Sequence, residues 1–114
     1  MRSASAIAGS GLEVAALGLD VSANNVANSL TDGFVPSRLA PEATEGGGVS
    51  AAVQAGPDPL SEVRADRALL APSQVDLSRE MVNQSQALAV YRSNLATLRT
   101  SQEMDRELTE ELSG

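Results

Sequence analysis

Between residues 3 and 28, Ile7, Val14 and Val21 recur every seven residues. Leu12, Leu19 and Val26 repeat the interval on a line about 140° further round a helix of 100° per residue. The spacing predicts a helix over 3–28. Two apolar lines so far apart predict two buried faces. Arg2, Glu13 and Asp20 share one narrow strip with Asn24, and Gly9, Gly11, Ala15, Ala16 and Gly18 fill the rest with small groups. A helix of a self-contained domain normally keeps a broad polar face, so this one is expected to have more than one packing neighbour. Burial in the chain's own core is the alternative. Each of the three glycines costs about 1 kcal/mol against Ala in a helix interior, so the segment is expected to be poorly ordered in isolation.

A second pattern starts near residue 76. Leu77, Met81, Gln84, Leu88, Tyr91, Leu95 and Leu98 follow alternating steps of four and three, the seam of a left-handed coiled coil, interrupted only by Gln84. Asp76 is placed to cap this helix, with Ser73 as the other choice, and the helix is expected to run to about residue 112. The apolar residues that follow, Met104, Leu108 and Leu112, leave the register near residue 101, a stutter that redirects the stripe. At 1.5 Å per residue the two helices span about 39 and 55 Å, so an antiparallel pair leaves the second overhanging by about three turns. Glu103, Asp105, Glu107, Glu110 and Glu111 lie in that overhang, where acids oppose the helix dipole. Either a partner holds this end or it is a solvated acidic tail.

All five prolines fall between residues 36 and 72, which excludes helix over most of the middle. Val49, Ala51 and Val53 alternate with smaller or polar residues, Gly56-Pro57-Asp58-Pro59 punctuates, and Leu60-Ser61-Glu62-Val63-Arg64 returns. A small β-hairpin is therefore expected at about 49–64, with Gly46-Gly47-Gly48 a flexible joint before it. The chain divides into 1–34, a helix and turn; 35–72, an irregular middle with the hairpin; and 73–114, the second helix, making one domain. The fold class is mainly α, two long terminal helices pairing as an antiparallel coiled coil.

The junction of the first helix with the middle is unusual. Asn24, Asn25 and Asn28 stand where Ala or Leu would extend a helix better, because Asn competes for its own backbone. Thr31-Asp32-Gly33 reads as a turn with Gly at positive φ, and Phe34, the one phenylalanine, as the anchor of a corner.

Composition narrows the function. Apolar residues make up 42% of 114 residues, but 18 of them are Ala and only Phe34 and Tyr91 are aromatic, so stability as a monomer should be marginal. There is no Cys or His, which removes disulfides, thiolate metal sites and histidine bases from consideration. Carboxylates show no pairing across a cleft. The row Glu103, Glu107 and Glu111 has spacing for a hard cation but reads more simply as a solvated face. An enzyme is not expected, nor a cofactor. The net charge of −7, with eight Arg and no Lys, gives no footprint for nucleic acid. No uninterrupted apolar run approaches the roughly 20 residues of a membrane span. Arg2, the apolar stretch after it and Val21-Ser22-Ala23 imitate a signal peptide, but Glu13 and Asp20 interrupt its core.

Gly9-Ser10-Gly11-Leu12, then Ala23-Asn24-Asn25-Val26-Ala27-Asn28 with Thr31, Gly33 and Phe34, resembles the N-terminal signature of bacterial flagellar basal-body rod and hook proteins. Val75-Asp76-Leu77-Ser78-Arg79-Glu80-Met81-Val82-Asn83, then Tyr91-Arg92-Ser93-Asn94 and Thr100-Ser101-Gln102-Glu103-Met104, resembles the matching C-terminal signature. The short middle is most similar to that of a proximal-rod protein. Val35 stands where the family usually has a basic residue, Ser29-Leu30 is atypical, and the acidic tail runs past the usual end.

The resemblance implies an axial subunit whose terminal helices pack with copies of itself and other rod subunits into the shaft that transmits motor torque. It implies export through the flagellar export apparatus without a cleaved signal peptide and no insertion in a membrane. The assembly residues it implies are Asn24, Asn25, Asn28, Thr31, Gly33, Phe34, Asp76, Glu80, Met81, Leu88, Tyr91, Asn94, Leu98 and Met104. Two other classes are carried beside it: a cytoplasmic coiled-coil adaptor or chaperone-like binding protein, and a periplasmic protein with a signal peptide.

Overall fold

The computed structural model describes residues 2–56 and 71–114. Helix α1, Ala4–Ala27, is capped by Ser3, whose side chain accepts from the Ala6 N–H, and it closes at Asn28. Strands β1, Arg38–Ala43, and β2, Val49–Gln54, form an antiparallel hairpin. Helix α2, Leu77–Ser113, starts at Asp76, whose carboxylate accepts from the backbone of Ser78 and Arg79. The fold is mainly α: two long terminal helices packed antiparallel, with the hairpin between them in sequence. Both helices begin and end within a residue or so of their expected bounds, because the residues that cap them are legible by type.

The packing face of α1 is not either apolar line. Ala8, Gly11, Ala15, Ser22 and Asn25 are buried and, with half-buried Gly18, form a row spaced by three and four that lies between the two lines; Ser10 is buried beside it, under the hairpin. Ala8 and Ala15 are the only fully buried apolar residues described. Small groups here let α2 approach closely, while Ile7, Val14, Val21 and Leu12, Leu19, Val26 are half-buried on the flanks. At Gly11 a Cβ would lie 2.5 Å from the Asn94 side chain, so a larger residue there must displace Asn94.

On α2 the enclosed positions are Glu80, Gln84, Ala87, Tyr91, Asn94, Leu95, Leu98 and Ser101. The four-three rhythm is the expected one, but the seam is rotated by about 60° from the apolar stripe. Gln84, Tyr91, Leu95 and Leu98 belong to both. Leu77, Met81 and Leu88, expected in the seam, are instead 51%, 68% and 41% exposed. Polar partners on α1 explain the rotation, as the next section describes.

The hairpin is displaced from its expected place. Val49–Gln54 is a strand, but its partner is upstream: Arg38 pairs with Gln54 and Ala43 with Val49. The expected return strand, 60–64, lies outside the described residues. Gly46-Gly47-Gly48 is the turn of the hairpin rather than a flexible joint before it. All three have positive φ, 85°, 105° and 97°. Thr44 closes the turn, its N–H donating to Gly48 O and its hydroxyl to Gly47 O, 2.7 Å. Pro41 is tolerated in β1 because a two-stranded sheet has only edges.

The hairpin is bound to the start of α1. The Arg2 N–H donates to Gly46 O at 3.0 Å, and the Val49 N–H donates to Ser10 Oγ at 3.1 Å. Over its most apolar window α1 has a mean hydropathy of 1.3, enough by length and composition to cross a membrane, a measure that a packed core helix also meets.

Candidate functional site

The end of α1 turns through a chain of asparagine and threonine bonds. The Asn28 N–H donates to Asn24 O and Asn25 O, and its Nδ2 reaches Asn24 O at 2.9 Å. Thr31 Oγ1 donates to Asn28 Oδ1, and the Phe34 N–H to Thr31 O. Asn24 is exposed and serves through its carbonyl. Gly33 has φ 75°, as the turn was expected to need, and its N–H donates to Ala71 O at 2.7 Å. Phe34 is half-buried; its carbonyl accepts from the Gln74 N–H at 2.9 Å. The corner thus fastens the approach to α2 through backbone bonds on both sides of that aromatic.

Asn25 is the hub. It is 2% exposed, and its Nδ2 donates to Ser37 O at 3.0 Å and to Glu80 Oε1 at 3.1 Å. Its Oδ1 accepts from the Ser37 N–H at 2.9 Å. One side chain therefore joins α1, the strand leading to the hairpin and α2. A turn earlier, Ser22 Oγ donates to Glu80 O at 3.2 Å and accepts from Gln84 Nε2 at 3.1 Å. Glu80 is 4% exposed, and its second oxygen, Oε2, has no hydrogen-bond partner. A buried carboxylate held by a single side-chain bond is costly, which makes the cluster a device for alignment more than for stability.

Further along, Asn94 lies over Gly11 and donates to Val90 O at 2.9 Å, and Ser5 and Ser101 hydroxyls meet at 2.9 Å. Past Ser101 every residue of α2 is exposed.

The expected assembly residues therefore separate into three sets. Asn24, Asn25, Asn28, Thr31, Gly33 and Phe34 build the corner, and Glu80 meets it from α2, whose start Asp76 caps. Tyr91, Asn94 and Leu98 continue the seam. Met81, Leu88 and Met104 face outward, at 68%, 41% and 64% exposure.

Ser22, Ser37 and Gln84 went unrecognised as partners of this cluster. Gln84 carried a signal, being the one polar residue in an apolar stripe, and Ser22 sits one turn before Asn25 on the same face.

Beside the cluster a groove of ≈ 1070 Å³ opens between α1, β1 and the first half of α2. Val14, Val21, Leu39, Val82 and Val90 give it apolar walls, and Arg38 and Arg79 face Asp76 and Glu80 as its charged lining. Among the described residues no group of three His, Cys, Asp or Glu is arranged to hold a metal ion. What the cluster and groove offer is alignment and a surface for another chain. The sequence matches no known protein-family model, and a search of curated proteins finds no match.

Proposed function

We propose that this chain is a structural subunit of the flagellar basal-body rod, assembling side by side and end to end with copies of itself and with other rod subunits. The two terminal signatures support the reading, and the observation that carries it is the mismatch between what the chain buries and what it exposes. The seam between the helices is closed by Ala, Gly, Ser and Asn, while Leu77, Met81, Val82, Leu88, Val90, Met104, Leu108 and Leu112 are each at least 41% exposed. A monomer that leaves this many Leu, Val and Met side chains exposed, while fully burying only alanines among its described apolar residues, has binding energy on the outside. The corner at Asn25 fixes the angle at which the hairpin leaves the helical layer, as a subunit with a defined inner and outer surface needs.

In this reading the helices form the inner layer of the shaft that carries torque, and the hairpin lies outside it. The chain is exported through the flagellar export apparatus with its N-terminus intact. Deletion of the gene is expected to abolish motility and to leave basal bodies without a complete rod by electron microscopy. Normal rods in the deletion strain overturn the proposal.

A further inference from the structure

The hairpin has two outer edges, and they are built differently. In an antiparallel pair the N–H and C=O of one residue point to the same side, and successive residues alternate. The Val49 N–H donates to Ser10 Oγ and not to β1, so Val49, Ala51 and Val53 turn their backbone groups outward. Across the ladder Ala43, Pro41 and Leu39 do the same. The bond from Thr44 N–H to Gly48 O agrees, placing the inward pairs at Glu42 with Ser50, Ala40 with Ala52 and Arg38 with Gln54.

On β1 the central outward position is Pro41, which has no N–H, and Arg38 and Glu42 add charge to the strand. Proline and charge are devices by which proteins close a strand edge. Strand β2 has neither. Val49–Gln54 is uncharged and without proline, and among the described residues nothing bonds to the outward backbone groups of Ala51 or Val53. Ser10 closes only the first position of that edge.

We infer that the open edge of β2 pairs with β2 of a second copy, antiparallel, about a two-fold axis at Ala52. The occupant is a second copy because the open groups are self-complementary: they stand symmetrically on either side of Ala52. Ala51 of one copy meets Val53 of the other and Val53 meets Ala51, each pair exchanging two hydrogen bonds. The strand has no charge with which to repel its own copy, and Ala52 meets Ala52 at the kind of position where opposed side chains come closest. The product is a four-stranded sheet with β1 on both outer edges, where Pro41 stops further growth, so the contact closes at a dimer. A two-stranded hairpin is marginal alone, and both copies gain from the pairing. The site is the hairpin and not the helical layer, so the inference stands apart from the subunit reading.

The chain has no cysteine, and single substitutions in the full chain therefore report the register. Ser50, Ala52 and Gln54 are exposed and lie on one face of β2. Under mild oxidation Ala52→Cys should give a disulfide-linked dimer, since its α-carbons would lie about 4.5 Å apart across the axis. Ser50→Cys and Gln54→Cys oppose each other and not themselves, so each alone should cross-link at least about tenfold more slowly than their equimolar mixture. So few bonds make a weak contact, which covalent trapping detects. Ala51→Pro, added to Ala52→Cys, removes an outward N–H that β1 does not use, and should slow cross-linking to the level of Ser50→Cys alone. If that variant loses the hairpin, the Ser50 and Gln54 pattern decides.

Cysteine variants that cross-link at one rate, alone or mixed, overturn the pairing. So does an Ala52→Cys dimer that forms as fast with Ala51→Pro present. Either result leaves the subunit reading to the basal bodies of the deletion strain.

Discussion

Asn25 makes three hydrogen bonds from a site with 2% exposure, and removing it strands Ser37 N–H and Glu80 Oε1 in the same enclosed space. Asn25→Ala gains intrinsic helix propensity, about 0.5 kcal/mol, but loses about 1–3 kcal/mol for the polar groups left unpaired. The urea midpoint should fall; an unchanged midpoint would make Asn25 a bystander. Glu80→Gln separates alignment from charge. The amide oxygen can still accept from Asn25, but its NH2 takes the place of Oε2, where no partner stands, so the variant is expected to lose about 1–3 kcal/mol by urea denaturation. An unchanged stability would mean that the second position is open to water. Sequence reading singled out Asn25 by its poor fit to a helix but had no means of finding Ser37 or Ser22, since serine is unremarkable at either position. Their role comes from a distance of 12 residues in one case and 58 in the other, closed only by the fold.

At the level of elements, the two glycines near the start of α1 make opposite predictions. Gly9 has open space around its absent side chain, so Gly9→Ala should stabilise by up to about 1 kcal/mol through helix propensity alone. Gly11→Ala gains the same propensity but must displace Asn94 from its bond to Val90 O, an overpacking cost of about 1–3 kcal/mol. Thermal melts of the pair should move in opposite directions. A common direction would show that α2 is not held close at this point. The helices themselves were readable because Ser3 and Asp76 are strong caps and the four-three rhythm survives in both chains of residues. The face was not, because periodicity tracks apolar residues, whereas this seam is closed by small and hydrogen-bonded ones. Glu80, which a hydropathy pattern rejects, is interior, and Leu77 and Met81, which it selects, are outside. The hairpin was misplaced for a related reason: three consecutive glycines read as slack, yet at positive φ throughout they form the tight link that pairs the strands on either side.

For the whole molecule, every residue of α2 beyond Ser101 is exposed, so this end should contribute little to folding. A chain ending at residue 101 is expected to keep its unfolding free energy, measured by urea denaturation, within about 0.5 kcal/mol of the full chain. A large loss of stability would mean that this end folds back on its own chain. Fold and free end were both foreseen from the unequal helix lengths; the groove was not, because it is made where three elements meet and no one of them shows it. The polar seam has a mechanical consequence. A seam of leucines alone can slip by one heptad and find much the same contacts again. Here a slip would part Asn25 from Glu80, Ser22 from Gln84 and Ser5 from Ser101 together, leaving each buried group without a mate. Sheared along its length, the pair should therefore hold one alignment and then give way at once, with no gradual creep, like a ratchet tooth instead of a bearing.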